Sequence, residues 1–322
     1  MRTYRSDQPR LTSIEPAGEN TSPQLAPRVP WLAVIMFTVL ACALAWAVIL
    51  PAYLGQASPD ELLMRVLSSV MMYTPALATL AVVFLMKVPR EPRTTLLGLW
   101  PLRPAKRVIA MSVIALLGGP VFMAVGLFIA AASGLVSVDL ANHSLLEQTQ
   151  LASIPDGVEV TLPPVEVQFW LVIAALPVNG LFVSFLAFGE EIGWRGWLLP
   201  TLQPLGTWPA LLISGAIWGI WHAPLTLLGH NFGVTDWRGV AMMVAFCITM
   251  GMLLGWLRLR TGSLWPAVFA HGSINAGASV LVIFGDAAAP PNPLIVGSGI
   301  ISWALALLIV ALLAVTGQFR RQ

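Results

Sequence analysis

The chain has 322 residues, of which 57% are hydrophobic and 10% charged. Soluble domains carry about 25% charged residues, so most of this surface cannot face water. The composition excludes a soluble globular protein and points to an all-α, polytopic membrane protein organised by the bilayer; the net charge of +2 says less than where the charges lie.

Residues 1–30 are polar and Pro/Ser-rich, with no short apolar stretch and cleavage site, and read as a disordered cytoplasmic arm. A bilayer core needs roughly 20 apolar helical residues. Such runs fall at 31–53, 62–86, 108–132, 169–189, 208–228, 239–257, 264–285 and 295–316, giving about eight transmembrane helices. The chain divides into N-terminal helices with a non-cytoplasmic loop (31–164), a core at 165–285, and a last helix with a tail (286–322).

Lys and Arg set the orientation. Arg2, Arg5, Arg10 and Arg28 precede the first span, and Lys87, Arg90, Arg93, Arg103, Lys106 and Arg107 fill the loop after the second. Arg195, Arg258, Arg260, Arg320 and Arg321 fall on the same side, and only Arg65 and Arg238 fall near the other. Both termini are therefore expected in the cytoplasm, with the chain in a cell membrane, that of a bacterium by preference. The loop at 134–168 carries Asp139, Glu147, Asp156, Glu159 and Glu166 without Lys or Arg; it is either an ordered cap or a solvated loop, and the solvated reading is favoured. His143 in that loop, and His230 with Asn231 after the fifth span, read as solvated. Cys42 and Cys247 lie in apolar runs and read as small apolar fillers. Gly215 with Gly219, and Gly251 with Gly255, are G-x-x-x-G pairs that let helices approach closely.

Polar residues inside the apolar half carry the chemistry, because a central charge costs about 2.5–3.5 kcal/mol in a bilayer helix. Glu190, Glu191 and Arg195 lie in "FGEEIGWRGW" at the end of the fourth span. Glu191 and Arg195 are four apart and share a helical face, while Glu190 is turned about 100° away. His222 lies in "WGIWHAPL", where Pro224 weakens the local hydrogen-bond ladder. His271 and Asn275, in "FAHGSINAG", share a face. Each residue alone has a bland reading, as an interfacial charge pair or a packed polar group. Together they define a polar cavity inside the bundle.

Such a set fits acid–base hydrolysis of a peptide bond. A carboxylate activates water, and histidine and asparagine N–H groups meet an oxyanion. No serine or cysteine pairs with them as a nucleophile; Ser273 sits on another face. A zinc site with Glu190, His222 and His271 as ligands is the competing chemistry, although no H-E-x-x-H helix is present. No cofactor is favoured and zinc stays open. Counting from the basic ends, His271 lies roughly 10 Å deep, His222 roughly 21 Å deep and Glu190 at the surface. The fourth helix is therefore expected to continue through Trp194 to Leu199 and stop before Pro200.

These residues resemble the CAAX prenyl protease family, also called CPBP or Abi-type intramembrane proteases. "EEIGWR" is similar to its E-E-x-x-x-R motif, "WGIWH" to its aromatic-x-x-x-His motif with Trp218 where phenylalanine is common, and "HGSIN" to its H-x-x-x-N motif. The resemblance covers about 165–285 and implies an eight-helix intramembrane endopeptidase. In the eukaryotic branch, members remove the last three residues of a prenylated CAAX sequence; bacterial and archaeal relatives are more varied, some linked to bacteriocin immunity or surface-protein processing. It implies that Glu190 activates water with His222, that His271 and Asn275 form the oxyanion site, and that Glu191 and Arg195 support them. Both zinc and metal-free mechanisms have been named for the family, and the metal-free one is favoured here. The expected partners are the lipid bilayer and a peptide or lipid-anchored protein, with no nucleic acid. Trp194, Trp197, Trp218 and Trp221 would line the pocket or, for the first pair, anchor at the interface. The rival readings are a non-catalytic member that binds membrane partners, and a proton-coupled transporter.

Overall fold

The structure, a computed structural model, describes residues 28–55, 61–89, 93–155 and 157–319. Nearly all of the expected arm at 1–30, together with Arg90, Asp156, Arg320 and Arg321, lies outside the described residues. In lipid every backbone polar group must be satisfied within the chain, and the apolar runs accordingly fold as helices. They are α1 (Trp31–Leu54), α2 (Glu61–Met71), α3 (Thr74–Phe84), α4 (Arg93–Leu96), α5 (Ala105–Ala132), α6 (Ser144–Ala152), α7 (Val165–Glu191), α8 (Leu199–Leu202), α9 (Thr207–Trp221), α10 (Ala223–Thr226), α11 (Trp237–Thr261), α12 (Trp265–Gly277), α13 (Ser279–Phe284) and α14 (Ile300–Val315).

All eight apolar runs are helical, but among the described residues six helices are long and apolar enough to cross a membrane. The other two, α9 and α14, are shorter. α9 stops early because Pro224 lacks an N–H and forces a break at His222, which becomes the joint between α9 and α10. The second span is likewise interrupted between α2 and α3, where Pro75 enters the first turn of α3.

Two close contacts position the core. A Cβ on Gly215 would lie 2.7 Å from the Cα of Ile248, and one on Gly219 would collide with the Cα of Val244. The first G-x-x-x-G pair therefore seats α9 directly on the backbone of α11. α12 lies between α5 and α7. Ser273 faces α5, where its Oγ donates to Leu116 O at 2.5 Å and accepts from Gly119 N at 3.0 Å.

The two ends of the bundle differ in charge. At one end the basic loop at 87–107 packs under the α11–α12 turn: Leu264 N donates to Gly98 O at 2.9 Å, and Arg258 Nη2 donates to Leu96 O at 2.6 Å. At the other end the acidic segment after α5 is an ordered cap, which corrects the favoured solvated reading. Asp139 N donates to Phe284 O at 3.0 Å, α6 follows, and Ala287 N donates to Ser144 Oγ at 3.1 Å. His143 is buried, its ring stacked 4.2 Å from that of Phe169. Apolar Leu146 and this ring stack bring the segment down onto the bundle, which its charge alone does not suggest. Backbone N–H groups of Asn142 and Ser144 hold the Asp139 carboxyl down at about 2.

Candidate active site

α7 ends with Glu190 and Glu191, and the chain then widens into a π-helical segment, Ile192–Leu198, before α8. The stretch Val165–Leu205 is one helical rod of 41 residues. The helix does not stop before Pro200 as expected, because that proline enters the first turn of α8, where its missing N–H is harmless. Glu190 thus lies 15 residues before Leu205, roughly 20 Å from the basic end. That depth brings it level with the histidines.

The two carboxylates are almost fully enclosed, Glu190 at 2% exposure and Glu191 at 0%, with Arg195 at 2%. Arg195 Nη1 donates to Glu191 Oε1 at 2.6 Å. The same oxygen accepts from His271 Nδ1 at 2.8 Å, so Glu191 ties α12 to α7 as well as pairing with the arginine. Glu191 Oε2 is buried without a hydrogen-bond partner among the described residues. The Arg195 guanidinium also lies 4.1 Å from the centre of the Trp218 ring.

Glu190 is held differently. Its Oε2 accepts from Trp218 Nε1 at 2.7 Å and from Trp194 Nε1 at 3.4 Å. Both indoles bond the same oxygen, which leaves Oε1 without a protein partner among the described residues. His222 Nδ1 lies 2.9 Å from Trp218 O. A carbonyl only accepts, so Nδ1 carries the proton and Nε2 of the neutral ring is the free acceptor. No hydrogen bond joins His222 to Glu190; its other neighbour is Cys247 Sγ at 3.7 Å. Cys247, expected as filler, is buried against a site histidine.

Glu190, His222, His271 and Asn275 all line one cavity of about 830 Å³, while Glu191 and Arg195 stand behind it. Asn275 is exposed on the cavity wall, one turn beyond His271. Trp218 and Trp221 also line the cavity. Trp194 and Trp197 do not; both are fully buried behind Glu190, and Trp197 Nε1 donates to Val88 O at 2.8 Å, so neither is an interfacial anchor. His230 and Asn231, read as plain loop residues, stand at the rim. Asn179, Ser68 and Ser69 belong to the lining and were missed. Asn179 had a signal, since Asn179, Val183, Leu186 and Glu190 repeat at helical spacing along α7.

A zinc site fits poorly. Among the described residues no three His, Cys, Asp or Glu side chains come together as a ligand set. Glu190 Oε2 is already engaged by two indoles and His271 Nδ1 by Glu191. No step is routed through a metal here.

Fold and site define a polytopic α-helical membrane protein with a buried Glu–His–Arg cluster at the end of an internal cavity. Residues 168–277 match the family model described as type II CAAX prenyl endopeptidase Rce1-like, and over this stretch the chain belongs to that CAAX protease family. No curated protein matches the chain.

Proposed function

We propose that this protein is an intramembrane endopeptidase in which Glu190 activates the attacking water. The observation that carries the reading is the asymmetry of Glu190: one oxygen is fixed by two indole N–H groups, and the other is left free on the wall of the cavity shared with His222 and His271. Glu190 Oε1 takes a proton from water as the water oxygen bonds to the substrate carbonyl carbon. His222 Nε2 accepts the second water hydrogen and orients the attack. The carbonyl oxygen, now an oxyanion, is met by His271 Nε2–H in its imidazolium form, anchored through Nδ1 to Glu191, and by the Asn275 amide. The C–N bond then breaks and the proton on Glu190 passes to the leaving amine. Glu191 and Arg195 position His271 and the helix that carries Glu190.

The substrate is a membrane-associated peptide. The cavity has an apolar wall on α11, built from Met243, Phe246, Met250 and Leu254, opposite polar groups on α7 and α12. Methionine adapts to apolar chains of varied shape.

The test is cleavage in detergent of two quenched peptides, one ending in a prenylated CAAX sequence and one carrying a hydrophobic anchor instead. Wild type and Glu190→Gln are compared, each with and without a zinc chelator. The glutamine keeps an acceptor for the indoles. Expected are cleavage by wild type that survives the chelator, and a fall of about 10²–10⁴ in the mutant with an unchanged melting temperature. Loss with chelator and recovery with zinc would overturn the metal-free mechanism. No cleavage of either peptide by folded wild type would favour a non-catalytic, partner-binding role.

A further inference from the structure

The cavity has a direction. On α7 its lining residues, Asn179, Val183 and Leu186, all precede Glu190 and so lie toward the cap end; on α12 and beyond, Asn275 and Ser279 follow His271 toward the same end. The rim is formed by Arg65 on α2, by His230 and Asn231, and by Ser298 in the loop before α14. Of these, Arg65, His230 and Asn231 are exposed.

Beyond Glu190, toward the basic end, the lining stops. Trp194, Trp197, Leu198, Leu199 and Leu202 fill that space and are all fully or almost fully buried. Arg258 locks this roof from above, donating from Nε to Arg195 O at 3.2 Å and from Nη2 to Leu96 O at 2.6 Å. The roof is the end to which the basic loop at 87–107 and Arg260 belong. The rim is the end of the acidic cap, where Asp139, Glu147, Glu159 and Glu166 outnumber the cations. Short loops rich in Lys and Arg stay in the cytoplasm.

We infer that the cavity takes its substrate from the non-cytoplasmic side of the membrane, as the extracytoplasmic segment of a membrane-anchored polypeptide, polar along one edge and apolar along the other. A C-terminal tail presented from the cytoplasm meets the roof instead. The word substrate rests on the endopeptidase reading; the side rests on the cavity and the charges alone.

The test is labelling with a charged, membrane-impermeant maleimide in a bacterial plasma membrane. Single cysteines are placed at the rim (His230→Cys, and Ser298→Cys in case the first fails to fold) and in the basic loop (Arg103→Cys). Wild type, whose Cys42 is half-buried and Cys247 buried, is the blank. Expected is labelling of the rim cysteines in intact cells and its loss in sealed inverted vesicles, with the opposite pattern for Arg103→Cys. Rim labelling confined to inverted vesicles, or equal on both sides, overturns the inference. Because the readout needs no catalysis, rim labelling from outside with no peptide cleaved would sink the endopeptidase reading and leave the side standing.

Discussion

At the roof of the cavity each polar group is claimed by another helix: Glu191 holds Arg195 and His271, Trp218 and Trp194 hold Glu190, and Arg258 holds two carbonyls. At the rim the polar groups are loosely kept, and Asn231 reaches Ser298 Oγ only at 3.3 Å in an exposed setting. Both ends are polar within a membrane-grade chain. The difference lies in desolvation: a buried polar group without a partner costs far more than an exposed one, so rigidity belongs where the carboxylates are and tolerance where a substrate must be received.

The sharpest way to break this comparison is Glu191→Ala. It leaves the Arg195 guanidinium buried without its counter-charge, and the expected loss is about 3–5 kcal/mol, read as a fall in melting temperature in detergent far beyond that of Glu190→Gln. Equal melting of the two mutants would mean that the roof is no better tied than the cavity wall. Next is Trp218→Phe, which removes the 2.7 Å donor to Glu190 but keeps a ring beside Arg195. A hydrogen bond to a charged group contributes about 1.5–3 kcal/mol, so turnover should drop roughly tenfold to a hundredfold. Third is Gly219→Ala, whose Cβ meets the α11 backbone. Overpacking costs about 1–3 kcal/mol, and unfolding measurements should show it whether or not substrate is present.

The smallest effect belongs to the cap end. The Asp139 carboxyl is held at about 2 against an ordinary 3.8, a lowered value, so its contribution is present above the unfolded pKa and lost as pH falls through about 2. Wild type and Asp139→Asn should therefore differ in thermal unfolding near neutral pH and converge on acidification toward pH of about 2. A gap that persists at low pH would show that the aspartate acts through shape and not through charge.

Much of this was legible in the sequence. Apolar run length located all eight helical runs, since lipid leaves the backbone few alternatives. The i,i+4 spacing of Glu191 with Arg195, and of His271 with Asn275, follows from helix geometry and needs no tertiary information. What could not be read depends on relations between helices. The Glu191–His271 bond joins residues 80 apart in the chain, and no spacing rule reports it. The π-helical segment has no composition signal of its own, so the fourth helix seemed to end at its last apolar residue. The cap was hidden because its acidic residues dominate its composition while Leu146 and the His143–Phe169 stack do the docking.

The closed roof also sets the order of events in turnover. Water, substrate and both fragments have to use the approach beside Arg65 and His230, since Trp194, Trp197 and Leu198 leave no passage on the far side of Glu190. A spent fragment therefore stands in the way of the next substrate. The fragments should act as competitive inhibitors, and clearing them, not bond cleavage, is the step that paces a fast enzyme of this design.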